Sequence, residues 1–316
     1  MIEGHLRAAL RSAAGRLYAA SPPALDCLRG KVVVLMYHRV IPKADARFVQ
    51  PGMYVTPETF GQHLEYLRTH FKIISFPELL DKWDAGGWDN RARYAVITFD
   101  DGWLDNYQHA YPLLAARGLP ATIFLPSDLI GTNRWLWCDR LAYCLGRGRH
   151  ATNPEAIDAA VSAAKKLPKA EREGLLAETS RALTALPAGR RLIDWSEAHE
   201  MSRHGITFGS HTCSHAILPE LQDAALEREL RRPLEVLADP RIADLPVLAY
   251  PDGRYDRRVA AAAAAAGYRA AVTTDAGAEA FVPSDRFAVR RIGVHDDVTR
   301  TAAALRFHIA RQAWAG

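Results

Sequence analysis

The stretch "YAVITFDDGWLDNYQHAYPLLAARGLPATIFLP", residues 94–126, decides the fold. "YAVITF" is an apolar run with β-branched residues, "NYQHAYPLLAARG" has helical spacing and closes at Gly118, and "PATIFLP" is a second apolar run. Strand, helix and strand in this order argue for a parallel sheet covered by helices. Two adjacent acids, Asp100 and Asp101, stand where the first strand runs out. Neighbouring residues on a strand point to opposite faces, and two close carboxylates repel, so the pair is either solvated turn chemistry or a site.

The alternation extends outward on both sides. Upstream, "KVVVLMYHRV" (31–40) is a buried-strand pattern. "TPETFGQHLEYLRTH" (56–70) is a helix with Thr56 as its cap and Phe60, Leu64 and Leu67 on one face, and "FKIISF" is a further strand. Downstream, "WSEAHEMSRHG", "ITFGSH", "LERELRRPLEVLAD", "PVLAYPDG", "DRRVAAAAAAAG", "YRAAVTTD" and "FAVRRIGVH" resume the pattern. The alanine run is a helix between Asp256 as start and Gly267 as stop. The expected class is α/β, a barrel or an open layer of parallel strands. From about Asn133 to Asp194 the chain is helical and alanine-rich without a strand pattern, which predicts an inserted helical subdomain (133–194) within a domain spanning 31–316.

Residues 1–30 read as an amphipathic helix and linker, with Leu6, Leu10, Ala13, Leu17 and Ala20 at helical spacing and Arg7, Arg11 and Arg16 between them. Such a helix packs on its own domain or rests peripherally on a membrane. The arginines interrupt the apolar core that a secretory signal needs, and no later run is long enough to span a bilayer, so the expected location is cytoplasmic, including the inner membrane face. With 316 residues, 49% hydrophobic and 24% charged, the chain has the make-up of a folded protein. A net charge of +4 carries no nucleic-acid footprint. Cys27, Cys138, Cys144 and Cys213 form no CxxC pair and read as reduced thiols.

The suspicious residues collect at strand ends, where loops of a parallel fold converge: His38 after "VVVLMY", the aspartate pair, His211 after "ITFGS", and the "YPDG" turn after "PVLA". His211 and His215 are four apart, which puts two imidazoles on one side of a turn. One carboxylate would complete a three-residue set that suits zinc and leaves a position for water. Cys213 lies two residues from His211, faces elsewhere, and reads as a small buried thiol. If one aspartate binds the cation, the other is free to act as general base beside the activated water. Alone, "DDG" is better explained by a solvated turn or helix cap, and the histidines are equally well explained by the surface; the combination in parallel-strand context reads as a site.

"TFDDG" (98–102), "SHTCSH" (210–215) and "AYPDG" (249–253) resemble, in order, the motifs of the polysaccharide deacetylases of carbohydrate esterase family 4, which share the NodB homology domain. The resemblance covers roughly residues 31–132 and 195–295. It implies a distorted (β/α) barrel of about seven strands and a hydrolase that removes N-acetyl groups from an amino-sugar by attack of metal-bound water. It further implies Asp100 as catalytic base, Asp101, His211 and His215 as ligands of a divalent metal (Zn2+, or Co2+ or Ni2+), and an oxyanion element at Tyr250, Pro251, Asp252 and Gly253 through the Asp252 N–H. The general acid of most members is a late strand-end histidine. Here "VVVLMYHRV" resembles that motif moved forward, as in circularly permuted members acting on poly-N-acetylglucosamine, which assigns the role to His38, with His295 in "RIGVHDD" as the late candidate.

Two departures stand out. Ala249 occupies the place where many members have arginine, so Arg291 is the candidate to pair with and orient Asp100. Asp252 brings a negative charge to the oxyanion turn and is expected to point outward or to meet a substrate amine. Trp103, Trp135, Trp137 and Tyr250 are candidate sugar-facing aromatics, Trp103 because it directly follows the DDG turn. The expected substrate is an N-acetylated oligo- or polysaccharide of a surface or exported polysaccharide pathway, or a lipid-linked sugar. The alternatives are a deformylase or deacetylase of lipid-linked amino-sugars and a non-catalytic carbohydrate-binding relative.

Overall fold

The computed structural model describes residue 26 and residues 28–147, 153–181 and 186–314. The expected N-terminal amphipathic helix lies outside them. The strands are β1 (Lys31–Tyr37), β2 (Arg39–Val40), β3 (Tyr54–Val55), β4 (Lys72–Ile73), β5 (Tyr94–Phe99), β6 (Ala121–Leu125), β7 (Ile206–Ser210), β8 (Asp244–Ala249), β9 (Ala270–Val272), β10 (Glu279–Ala280) and β11 (Ile292–Gly293). The helices are α1 (Pro57–His70), α2 (Phe76–Ala85), α3 (Tyr111–Ala115), α4 (Trp137–Arg147), α5 (Pro154–Ala164), α6 (Lys169–Arg181), α7 (Trp195–Ser202), α8 (Asp223–Leu237), α9 (Arg257–Ala266), α10 (Asp296–Thr299) and α11 (Ala302–Trp314).

The main sheet has the order β10-β1-β5-β6-β7-β8-β9, with β11 also on β1 and β4 on β5. Its pairings are parallel except β1 with β10. The sheet curls. Beyond β9, the chain at 286–289 bonds back to it (Ala271 N to Arg286 O, 2.7 Å; Thr273 N to Val289 O, 2.9 Å) and then delivers β11 to β1. The result is the distorted (β/α) barrel the motifs implied.

Parallel strands covered on both sides are buried throughout, and β5 and β6 are buried at every position. Alternation then sorts residues between faces. On one face Val33, Leu35, Ala95, Ile97, Ile123 and Phe208 pack with Phe60, Leu64 and Leu67 of α1. On the other, Val32, Val34, Val96, Phe124, Val247 and Val272 pack with Phe76, Leu79 and Leu80 of α2.

The local signals act as expected at several helix ends. Thr56 Oγ1 accepts from Thr59 N (3.2 Å), and Asp256 Oδ1 accepts from Val259 N (2.8 Å) at the start of the alanine helix. Other elements are shorter than their patterns. "FKIISF" is strand only at Lys72–Ile73, because Ser75 caps α2 and Pro77 follows in its first turn. "FAVRRIGVH" is strand only at Ile292–Gly293. The helix after the DDG turn begins as a π-helical turn, Asn106–Ala110, before α3. Within the expected insertion lie α4, α5 and α6, whose apolar faces meet in a small core of Leu141, Ile157, Val161 and Ala164. Among the described residues, no helix is long and apolar enough to cross a membrane.

Candidate active site

β5, β7 and β8 end on one face of the sheet, and their turns bring the motif residues together. Asp101 Oδ1 lies 3.4 Å from His211 Nε2 and 3.3 Å from His215 Nε2, and the three ligand-capable atoms are within 4.8 Å of one another. His211 Nδ1 is 2.7 Å from the Ala249 carbonyl oxygen, which only accepts, so Nδ1 carries the proton and Nε2 presents its lone pair to the cluster. Asp101 Oδ2 accepts from Trp103 Nε1 at 3.0 Å, while Oδ1 is buried and, among the described residues, receives no hydrogen bond. A buried carboxylate oxygen without a donor, facing two imidazole nitrogens, is a donor set that suits a divalent cation with open coordination positions.

The backbone is contorted to achieve this. Asp101 (φ 74°), Thr212 (φ 66°), His215 (φ 60°) and Asp252 (φ 58°) are non-glycine residues in the left-handed region, and all lie in these three turns. Such conformations are unfavourable and persist where surrounding structure enforces them. At Gly102, a side chain would strike Leu125, and at Gly253 it would run into Thr274. The turns therefore need glycine next to their functional residues.

Asp100 is held by a different set of partners. Its N–H continues the strand ladder to Tyr37 O (3.0 Å), and its carboxylate meets Arg291 at two points: Nη1 to Oδ1 and Nη2 to Oδ2, both 2.7 Å. Arg291 is wholly buried, and its Nε donates to Thr273 O (2.8 Å). Burial alone would push the Asp100 carboxyl up; the Arg291 charge and hydrogen bonds, joined by His211 and His38, more than offset this and hold it below the usual carboxylate range.

His38 follows β1 as Asp100 follows β5, and the two strands pair up to Tyr37 and Phe99. Its carbonyl accepts from Asn106 Nδ2 (2.8 Å), and Asp105 ties down the next residues through Arg39 Nε (2.9 Å) and Val40 N (2.8 Å). Burial lowers the His38 imidazole pKa, opposed by Asp100 and Asp101, with Arg291 and His211 lowering it further. Its imidazole thus shares the field of the whole cluster. His295, the late candidate, bonds instead through Nδ1 to Asp297 Oδ2 (3.0 Å).

A family profile described as polysaccharide deacetylase matches residues 88–271, which is more than half of the chain. The chain belongs to the polysaccharide deacetylase family. It is a carbohydrate deacetylase, a hydrolase. YxkH of Bacillus subtilis (strain 168), which carries a provisional polysaccharide deacetylase name, is 24% identical over 272 residues, 86% of this chain and 74% of its own. The fold is shared with the Streptococcus pyogenes deacetylase PplD, solved in complex with acetate (TM-score 0.62, 19% identity, 88% of this chain and 98% of that one). It is also shared with IcaB from Ammonifex degensii (TM-score 0.57, 20% identity, 88% and 97%).

Two expectations for this deacetylase's site need correction. Trp103 does not line the cleft: it is 2% exposed, its indole N–H holds Asp101, and Arg39 lies over its ring at 4.3 Å. The chain returning from the insertion buries it, through Leu104 N to Arg191 O (2.8 Å) and Ile193 N to Gly102 O (2.9 Å). Tyr250 presents no side chain to a substrate either. It is fully buried, stacked on Tyr255, and its hydroxyl donates to Phe287 O (3.0 Å). Asp252, a quarter exposed and expected to point outward or to meet a substrate amine, has its Oδ1 met at 2.5 Å by Lys165 Nζ from the helices between β6 and α7.

Two further features escaped the sequence reading. Glu229 of α8, buried, accepts from Cys213 N (2.8 Å), Ser214 N (2.9 Å) and Ser214 Oγ (2.7 Å), fixing the strained segment between the two histidines. A glutamate on an amphipathic helix gives no sign of this in sequence. A cavity of about 200 Å³ also opens beside His215, walled by Trp137 and Arg172 of the insertion and by Ile217 and Glu220. Cys213 is buried, with its thiol pushed up to about 12 by desolvation, and stands outside the three-residue cluster.

Proposed function

We propose that this deacetylase removes N-acetyl groups from an amino-sugar of an oligo- or polysaccharide with a divalent cation, Zn2+ in the first instance, held by Asp101, His211 and His215. The observation that carries the reading is the donor-free buried Oδ1 of Asp101 facing two imidazole Nε2 atoms beside an arginine-clamped second aspartate. A bound cation would supply Lewis-acid polarisation of the acetyl carbonyl and a water of lowered pKa.

The chain's own groups do the rest. Asp100, held ionised by Arg291, takes the proton of the attacking water. The backbone N–H of Asp252 donates to the oxygen on which negative charge develops. His38, which follows β1 as Asp100 follows the paired β5, carries a proton to the departing amine nitrogen, so that the sugar leaves as a neutral amine and the acyl group as acetate. Acetate is also the molecule named with the fold neighbour PplD. The cavity beside His215 gives the saccharide a place against the reacting centre.

The test is acetate release from N-acetylated chito-oligosaccharides by metal-stripped protein and by the same protein reloaded with zinc. The reading expects release only after reloading. Release that persists under excess chelator would contradict the cation's role, and metal binding without release from any acetylated sugar would contradict the acetyl assignment.

A further inference from the structure

The oxyanion turn of this chain carries its own problem. Asp252 supplies the proposed oxyanion donor through its backbone and a carboxylate through its side chain, so a negative charge stands next to the place where a second one develops. Left unopposed, that charge would raise the energy of the transition state by several-fold in rate or more.

The structure supplies the opposing charge from outside the barrel. Lys165, immediately after α5 of the helical insertion, places Nζ 2.5 Å from Asp252 Oδ1, with both side chains about one-quarter to one-third exposed (32% and 25%). Its backbone carbonyl accepts from Arg254 Nη1 (2.9 Å), so both sides of the turn are held by this one residue. The Lys165 ammonium also interacts with the Asp101 carboxylate, which places it in the field of the metal-ligand cluster. A second tie, Arg172 to Glu220 at 2.9 Å, docks α6 nearby and keeps the insertion seated.

We propose that Lys165 is a charge-compensating positioning residue: the helical insertion completes the active site electrostatically by cancelling the Asp252 carboxylate at the oxyanion turn. This rests on the reading that the oxyanion forms at the Asp252 N–H. A mere strut and a compensating charge are distinguishable by sign. Removing the lysine leaves an excess negative charge at the site, whereas removing the aspartate leaves an excess positive one. Asparagine suits the second substitution because it tolerates the left-handed backbone of position 252.

The experiment uses the zinc-loaded full chain and acetate as the probe, with affinity measured by calorimetry and folding checked by thermal unfolding. Lys165→Met is expected to weaken acetate binding about tenfold, Asp252→Asn to strengthen it, and the double variant to return to within about threefold of wild type. Lys165→Arg is expected to retain affinity. Weaker binding in Asp252→Asn, or a double variant worse than either single one, would overturn the proposal in favour of a strut; so would a wild type that binds no acetate. Should Lys165→Met fail to fold, the sign of the Asp252→Asn change decides. A wild type that binds acetate but releases none from acetylated sugars would defeat the deacetylation reading while leaving this comparison legible.

Discussion

Arg291 and Asp100, 191 residues apart, form a buried two-point ion pair with both N···O distances at 2.7 Å. A planar guanidinium matches a carboxylate at two points and fixes its plane as well as its charge. The pair thus sets both the direction of the Asp100 lone pairs and the pH above which they are available. Breaking such a pair leaves an uncompensated buried charge, so Arg291→Met is expected to destabilise the protein by about 3–5 kcal/mol in urea unfolding. The pH dependence has a definite sign. The Asp100 carboxyl is held below its ordinary value, so its contribution is present above the usual carboxylate range and is lost as pH falls through the lowered value. In Arg291→Met the acidic limb of the kcat/KM profile should therefore move to higher pH. Arg291→Lys cannot make both contacts and should restore the limb only in part.

Trp103→Phe tests the hold on Asp101. The ring volume is largely kept while the 3.0 Å N–H bond to Oδ2 is lost. Partners that orient a metal-binding carboxylate contribute about 10-fold to 100-fold in affinity, so zinc affinity measured against a competing chelator should fall by that amount with the fold intact. An unchanged affinity would show that Trp103 only fills space.

Glu229→Ala should loosen the segment between His211 and His215. Three donors lose their buried acceptor. A stability loss of about 3 kcal/mol is expected, together with weaker zinc binding. Glu229→Gln keeps one acceptor oxygen and should fall between the two.

His63 gives the protein an acid sensitivity remote from catalysis. Its Nε2 donates to Thr299 O at 2.5 Å, and its Nδ1 accepts from the Tyr37 hydroxyl at 3.2 Å, an arrangement that uses the neutral ring. Burial lowers its pKa from 6.5 to about 4. Below 6.5 the unfolded chain takes up a proton that the folded chain refuses, so stability present above 6.5 is lost as pH falls toward about 4. The loss amounts to about 3 kcal/mol at most. Urea unfolding from pH 7 to 4 should show it in wild type, and His63→Gln should flatten that part of the curve.

The parts of the site that were legible are those whose chemistry is written in contiguous residues at strand ends. "DDG" and "SHTCSH" each follow an apolar run, and parallel strands send such ends to one face. Arg291 was legible only through the resemblance: Ala249 stands where many family members have arginine, which left Asp100 needing a partner from elsewhere, and "RRIGV" offered one. What was hidden depends on contacts made by the insertion. Trp103 looks exposed in sequence because it follows a turn, yet residues 191–193 come back across that turn and bury it. Lys165 sits in an alanine-rich helical stretch with nothing to tie it to a turn 87 residues away. The left-handed backbones of Asp101 and His215 were invisible for a different reason: aspartate and histidine adopt that conformation more often than most residues but still in a small minority of cases, and only the finished packing enforces it.

The most direct test counts bound zinc and released acetate on the same samples of wild type and Asp100→Asn. The account predicts about one zinc per chain in both, acetate from N-acetylated sugar in wild type, and a loss of about 100-fold or more in the variant. Zinc bound by neither protein, or an Asp100→Asn protein that releases acetate at the wild-type rate, would contradict it.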